Sequence, residues 1–347
     1  MISMAKRRGC TVILNGSDAT DHSQEYLERG ADYVLVGESE ITLTELLAIL
    51  TNRINGSMEQ VNGVISSKNF KKPLQPRALS RDLDQFPFPA WELVDVSKYR
   101  TIWLQRHGYY SVNMVTTRGC PYHCNWCAKP IYGQRYHSRS PENVVEELKW
   151  LKNQVRPDHI WFADDIFGLK SGWIKRFSKL VCQEHLQIPF KCLLRTDLIN
   201  EEISTLLKRA GCKTVWVGAE SGSQKILDAM EKGATVEDTR RATRQLQEAG
   251  VQVGYFLQFG YPGENWEDIR QTFRLVRECM PDDIGISVSY PLPGTPFYER
   301  VRTELDRQQN WVDSDDLALL FRGMFAPSFY RQLHQVMHKE YRARKAW

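Results

Sequence analysis

The stretch Val112-Asn-Met-Val-Thr-Thr-Arg118-Gly-Cys120-Pro-Tyr-His-Cys124-Asn-Trp-Cys127 decides how this chain is read: a short apolar strand runs directly into three cysteines spaced C-x3-C-x2-C. Thiolate is the soft ligand that iron–sulfur clusters prefer, and a full set of four cysteines would make a four-iron cluster an electron carrier with no place for a substrate. Three cysteines leave one iron open to a small chelating molecule. Two other readings of the same residues stand beside this one. Zinc completed by His123 or a distant residue is a common three-cysteine site, although zinc ligands usually come as two short-spaced pairs and no second pair exists in this sequence. Three ordinary buried thiols are the other.

Outward from that stretch, short apolar strands alternate with amphipathic helices, the pattern of parallel βαβ units. Six strands are expected, at 112–117, 159–163, 190–194, 214–218, 251–256 and 283–288. The helices between them have proper ends. Ser140 can cap, with Pro141 in the first turn, a helix carrying Val144, Val145, Leu148 and Leu151 on one face. Asn200 opens another, with Gly211 where a left-handed stop belongs, and Thr235-Val-Glu-Asp238 reads as a capping box. Periodicity alone leaves a doubly wound sheet and a partial barrel both open. In either, ligands gather at the carboxyl ends of the strands.

The cysteine run resembles the signature of the radical S-adenosylmethionine (SAM) superfamily, and Trp126 stands where that family commonly has an aromatic residue before its third cysteine. The resemblance implies an α/β fold with a partial six-stranded (β/α)6 barrel over residues 108–300. It implies a [4Fe-4S] cluster on Cys120, Cys124 and Cys127, whose open iron takes SAM, and cleavage of SAM to a 5′-deoxyadenosyl radical that activates a C–H bond. Residues after each strand are then the expected SAM contacts. After the second strand these are Asp164 and Asp165, which could accept from the SAM amino group, though adjacent aspartates are more often one capping and one exposed residue. Arg195 ends the third strand with a planar donor fork suited to the SAM carboxylate, or to a salt bridge with an acid such as Asp164. The fourth runs into Gly218-Ala-Glu220-Ser221-Gly222-Ser223, which resembles the family's G-x-E-S-G-S phrase and puts Glu220 and Ser221 near ribose; Ser221 also reads as a simple cap. The Lys232-Gly233 pair that follows places Lys232 toward the SAM carboxylate. Gly260, in Gly260-Tyr-Pro-Gly263-Glu264, is first a tight turn, and by resemblance an adenine contact with Glu264 starting the next helix.

Within the superfamily the likeness is to the subclass with a cobalamin-binding domain, the anaerobic magnesium-protoporphyrin monomethyl ester cyclases and radical methyltransferases. Residues 1–65 resemble the last part of that Rossmann-like domain, with strands expected at 10–16 and 33–37 and helices at 23–29 and 42–54. Its front half is not in this sequence, and one reading of Met1 is an internal start within a longer protein. The D-x-H-x-x-G cobalt-ligand motif is also absent, His22 being the only histidine before residue 100, which counts against cobalamin. Residues 66–107, rich in Pro, Lys, Arg and aromatics, read as an extended linker, and 301–347 as a helical extension whose basic end, Arg342 to Lys345, is solvated.

Composition narrows the alternatives further. The 347 residues balance 46 Lys and Arg against 42 Asp and Glu, so charge gives no case for nucleic acid as the main partner. No stretch approaches the roughly 18 consecutive apolar residues of a membrane span. The basic N-terminus lacks the apolar core of a secretory signal, so a cytoplasmic protein with reduced cysteines is expected, Cys10, Cys182, Cys192, Cys212 and Cys279 serving as core packing. A one-electron donor, flavodoxin or ferredoxin, and a small-molecule substrate are the implied partners. The competing function is a cluster-bearing or zinc-bearing binding protein without turnover, or an inactive truncated relative.

Overall fold

The computed structural model describes residues 1–70, 73–305 and 317–346. Two units emerge, one gathering residues 1–81, 119–121 and 128–136, the other residues 82–118, 122–127 and 137–347. In the first, β1 (Ile13–Asn15) pairs in parallel with β2 (Tyr33–Leu35), and β2 pairs antiparallel with β3 (Val64–Ser66). No strand is expected at β3 from the sequence, and it changes how the segment closes. Neighbouring side chains on β2 go to opposite faces: Leu35 packs with Leu46, Val61 and Val64, while Val34 packs with Ala19 and Leu27. Helices Glu40–Leu50 and Ser23–Glu28 thereby cover the two faces.

The second unit holds β4 (Ser111–Met114), the two-residue antiparallel ribbon of β5 (Thr117–Arg118) and β6 (His137–Ser138), then β7 (His159–Phe162), β8 (Phe190–Leu194), β9 (Cys212–Glu220), β10 (Gln252–Phe259) and β11 (Asp283–Val288). The large sheet runs β4-β7-β8-β9-β10-β11, every neighbour parallel. Spatial order follows chain order, so the sheet has no point where its winding reverses, and the doubly wound alternative falls away. Right-handed crossovers then put every connecting helix on one side and the sheet curls into a half-barrel.

Local chemistry supports the expected helix ends. Ser140 Oγ accepts from Asn143 N at 3.1 Å, Asn200 Oδ1 from Ile203 N at 2.9 Å, and Thr235 and Asp238 complete their capping box. Gly211 takes φ +100°, and a Cβ there would stand 3.1 Å from the Ile188 carbonyl.

Several expectations need correction. The first barrel strand stops at Met114 rather than residue 117, because the backbone N–H groups of Thr116 and Thr117 turn to Asp164 instead of to β7. The linker is not extended throughout: Val96–His107 is a helix, capped by Asp95 and stopped by Gly108 at φ +77°. Helix propensity across Lys98 to Arg106 outweighed the neighbouring prolines, which all precede it. Cys192 and Cys212 are buried as expected and Cys182 and Cys279 half so, but Cys10 is exposed. The tail forms the last turn of helix Pro327–Lys345, where Arg344 pairs with Glu340 at 2.9 Å. No helix among the described residues is long and apolar enough to cross a membrane.

Candidate functional site

The carboxyl ends of β7, β8, β9 and β10 bring the expected site residues to one end of the sheet, and Arg195 is the hub. Its Nε and Nη2 donate to the two oxygens of Asp197 at 2.9 and 3.2 Å, and Nη2 also donates to the Lys232 carbonyl at 2.8 Å. The guanidinium lies 3.6 Å from the Tyr122 ring centroid, and Nη1 is 3.8 Å from Cys124 Sγ. Burial opposes the arginine's charge, but the Asp197 carboxylate outweighs it and holds the group more firmly protonated than usual. Asp197, two residues on, takes the salt bridge that the sequence suggested for Asp164.

Asp164 has another task. Its carboxylate accepts from Thr116 N at 2.7 Å, Thr117 N at 2.9 Å and Thr116 Oγ1 at 2.5 Å, all within the core. It fastens the segment entering the cysteine run to the end of β7. Burial pushes its carboxyl up to about 6, against the pull of those hydrogen bonds. With both oxygens engaged, Asp164 has little capacity left for an ammonium ligand. Asp165 is exposed beside it.

Glu220 and Lys232, expected to serve separate parts of SAM, instead pair with each other at 2.8 Å, both side chains less than a tenth exposed. Glu220 sits at φ +56°, a conformation non-glycine residues adopt at a cost. Gly218 makes room for the pair, since a Cβ there would lie 2.5 Å from Glu220 Oε1 and 2.7 Å from Lys232 Nζ. Ser221 is wholly buried, its Oγ accepting from Ser223 N at 3.1 Å in a turn ahead of helix Gln224–Ala229, whose N-cap position is Ser223, so Ser221 does not cap that helix. Gly260 takes φ +80° and donates its N–H to Glu264 Oε2 at 2.6 Å. Glu264 therefore folds back onto the turn rather than starting the helix; Asn265 caps that helix. Burial pushes the Glu264 carboxyl up to about 8, and its Oε1 has no hydrogen-bond partner among the described residues.

All three cysteines of the run are free thiols, Cys124 buried and Cys120 and Cys127 half-buried. Among the described residues no three His, Cys, Asp or Glu side chains already stand together as a metal cage. The donor set nevertheless suits a thiolate-ligated cluster: three soft ligands in eight residues, with the fixed Arg195 cation beside one sulfur to complement negative charge. His123 is exposed.

The loop carrying Cys124 and Cys127 is held by a residue the sequence did not single out. Asn125 is buried; its N donates to the Met230 carbonyl at 3.1 Å, its Nδ2 to the Ala229 carbonyl at 2.8 Å, and its Oδ1 accepts from Tyr261 Oη at 2.7 Å. Its carbonyl accepts from Phe297 N at 3.0 Å. Trp126 packs beside it against Ile226, Met230, Tyr261, Phe297 and Val301. A buried asparagine between two cysteines was the available signal, but its partners lie more than 100 positions away.

Comparison with known proteins gives this geometry a family. Residues 114–276 match the radical SAM superfamily. An uncharacterized methyltransferase of Pyrococcus horikoshii is 30% identical over 81% of this chain and 60% of its own length. The anaerobic magnesium-protoporphyrin IX monomethyl ester cyclase of Synechocystis is 26% identical over 86% of this chain and 60% of its own. The chain thus spans about three fifths of these relatives. In fold it is similar to the radical SAM methyltransferase TsrM of Kitasatospora setae, solved with cobalamin and a [4Fe-4S] cluster bound (TM-score 0.71, 23% identity, covering 87% of this chain and 59% of that one). Sequence motif, sheet order and comparison agree: residues 114–276 of this chain form a radical SAM domain.

Proposed function

We propose that this chain generates a radical from SAM, with Cys120, Cys124 and Cys127 as ligands of a [4Fe-4S] cluster and residues 108–300 as the catalytic core. When bound, the reduced cluster supplies one electron that splits SAM into methionine and a 5′-deoxyadenosyl radical able to take hydrogen from a C–H bond. The chain's own residues position and shield. Arg195 offers a fixed cation for the SAM carboxylate beside Cys124, the Glu220–Lys232 pair offers acceptors and a donor for ribose and carboxylate, and the Gly260 turn brings backbone close enough for adenine. Trp126 and its apolar neighbours exclude water from the loop. The observation that carries this reading is Arg195, which links the cysteine loop, through Tyr122 and Cys124, to the ends of β8 and β9.

The relatives act as methyltransferases and ring-closing cyclases, and we extend that class of reaction to this chain on a small-molecule substrate. A flavodoxin or ferredoxin would deliver the electron, in a cytoplasmic setting. Cobalamin is left out of the proposal, because His22, the histidine available in the first unit, faces Glu25 at 3.6 Å and lacks the ligand motif. The decisive test is anaerobic reconstitution. About four irons per chain and reductant-dependent 5′-deoxyadenosine are expected. Uptake of zinc without iron, or an intact cluster that yields no 5′-deoxyadenosine, would establish the binding-protein alternative instead.

A further inference from the structure

The concave face of the half-barrel carries a surface that SAM chemistry leaves unused. On β9 the residues Val215, Val217 and Ala219 are buried toward the helices, so alternation sends Trp216, Gly218 and Glu220 to the opposite, concave face. Register carries that face across the sheet: Trp161 lies beside Lys191, Leu193 beside Trp216, Trp216 beside Gly254, and Phe256 beside Gly285. The rings of Trp216 and Phe256 meet with centroids 4.7 Å apart and planes 31° from parallel.

Two glycines let this pair lie down. A Cβ on Gly254 would stand 2.5 Å from Trp216 Cδ2, and one on Gly285 would stand 3.4 Å from Trp216 Cζ3 and 3.5 Å from Phe256 Cδ1. Any larger residue at Gly254 would lift the indole off the sheet. Phe256 keeps 40% of its surface exposed, so this aromatic floor is not used up by the chain's own core. Phe256 is in register with Gly218, which places the floor one strand step below the Glu220–Lys232 pair.

At its other end the floor has a cation. Lys191 Nζ lies 3.9 Å from the Trp161 ring centroid and has no carboxylate within ion-pairing reach among the described residues. The charged and titratable groups facing it are His159, kept neutral by burial with its pKa lowered to about 4, and Asp283 at longer range. Trp161 Nε1 is buried beside it and has no hydrogen-bond partner among the described residues.

We propose that this face binds a flat, ring-bearing small-molecule acid, its ring on Trp216 and Phe256 and its anionic group toward Lys191. The inference rests on the proposed radical SAM function, whose substrate class it names. A planar ring gains stacking on the two aromatic faces and loses little entropy there, whereas a flexible chain of equal area gains no stacking and loses its rotamers. Lys191 and the unpartnered Trp161 N–H both call for an acceptor.

The test titrates the reconstituted protein with 1-pyrenebutyrate, with 1-pyrenebutanol (the same ring, uncharged) and with palmitate (charged, without a ring), by calorimetry. Pyrenebutyrate should bind roughly tenfold more tightly than either of the others. Lys191→Met should erase the preference for acid over alcohol, and Trp216→Leu the preference for ring over chain, each in protein that keeps its iron content and melting temperature. Equal binding of the three probes by the wild-type protein overturns the inference, as do well-folded variants that keep both preferences. Formation of 5′-deoxyadenosine is measured separately without probe. Its presence with no ring-acid preference sinks this inference alone, and its absence in iron-loaded protein sinks the function beneath it.

Discussion

Two glycines of one phrase do different work. At Gly218 an added Cβ would meet only the far ends of flexible side chains, Glu220 Oε1 and Lys232 Nζ. Gly218→Ala should therefore leave the melting temperature near that of the wild type while displacing the buried pair, and weaken SAM binding by about tenfold or more, as read by equilibrium dialysis of reconstituted protein. At Gly222 the same Cβ would lie 2.3 Å from the Gln271 carbonyl oxygen and 2.6 Å from Thr272 Cα, atoms of a helix backbone that cannot swing away. Gly222→Ala should cost stability, on the order of 1–3 kcal/mol, as a lowered denaturant midpoint. Both glycines were legible as members of the phrase that the resemblance sets near ribose. Which one guards a charge pair and which one guards packing was not, because Lys232 and Gln271 reach the phrase from later in the chain.

At the scale of elements, helix starts were legible because a cap is local chemistry: Ser140, Asn200 and Thr235 each meet an N–H three positions on. Asn265 passed unnoticed in the shadow of Glu264, yet its Oδ1 accepts from Glu267 N at 2.9 Å and Asp268 N at 3.2 Å. Asn265→Ala should lower unfolding free energy by about 1 kcal/mol, shifting the urea midpoint without changing the slope. Strand ends were less legible than helix starts. β9 and β10 run to Glu220 and Phe259, beyond the expected 218 and 256, because their neighbours keep supplying partners. The stop of β4 depends on Asp164, just past the end of β7.

For the whole molecule, buried titratable groups set how stability follows pH. The Glu264 carboxyl is pushed up to about 8 in the folded chain against an ordinary glutamate's 4.5, raised by burial and, to a smaller degree, by Asp268, with the Gly260 N–H and then Lys225 opposing. A raised carboxyl stabilises fully below its unfolded value, and that stabilisation is lost as pH climbs through the folded one. Asp164 follows the same sign in a lower window, up to about 6. His159, lowered to about 4, has the opposite sign and loses its contribution as pH falls below 6.5. Between pH 6.5 and 9, Glu264 is therefore the group of these three still changing. Unfolding free energy should fall by about 2 kcal/mol across that interval in the wild-type protein and stay nearly level in Glu264→Gln, as followed by denaturant titrations at several pH values.

What the sequence determined by itself is whatever depends on near neighbours: the three-thiol run, the alternation of strands and helices, the caps, and through them the presence of a radical SAM domain. What only the tertiary structure decided is how charges are shared. Arg195 chose Asp197 over Asp164, Glu220 and Lys232 chose each other, and Asn125 met Tyr261 from 136 positions away. The physical reason is that spacing along a chain sets which groups can cap or ligate together. Desolvation in the folded interior, by contrast, penalises every unpaired polar group, and the pairings that relieve it depend on which strand ends are side by side.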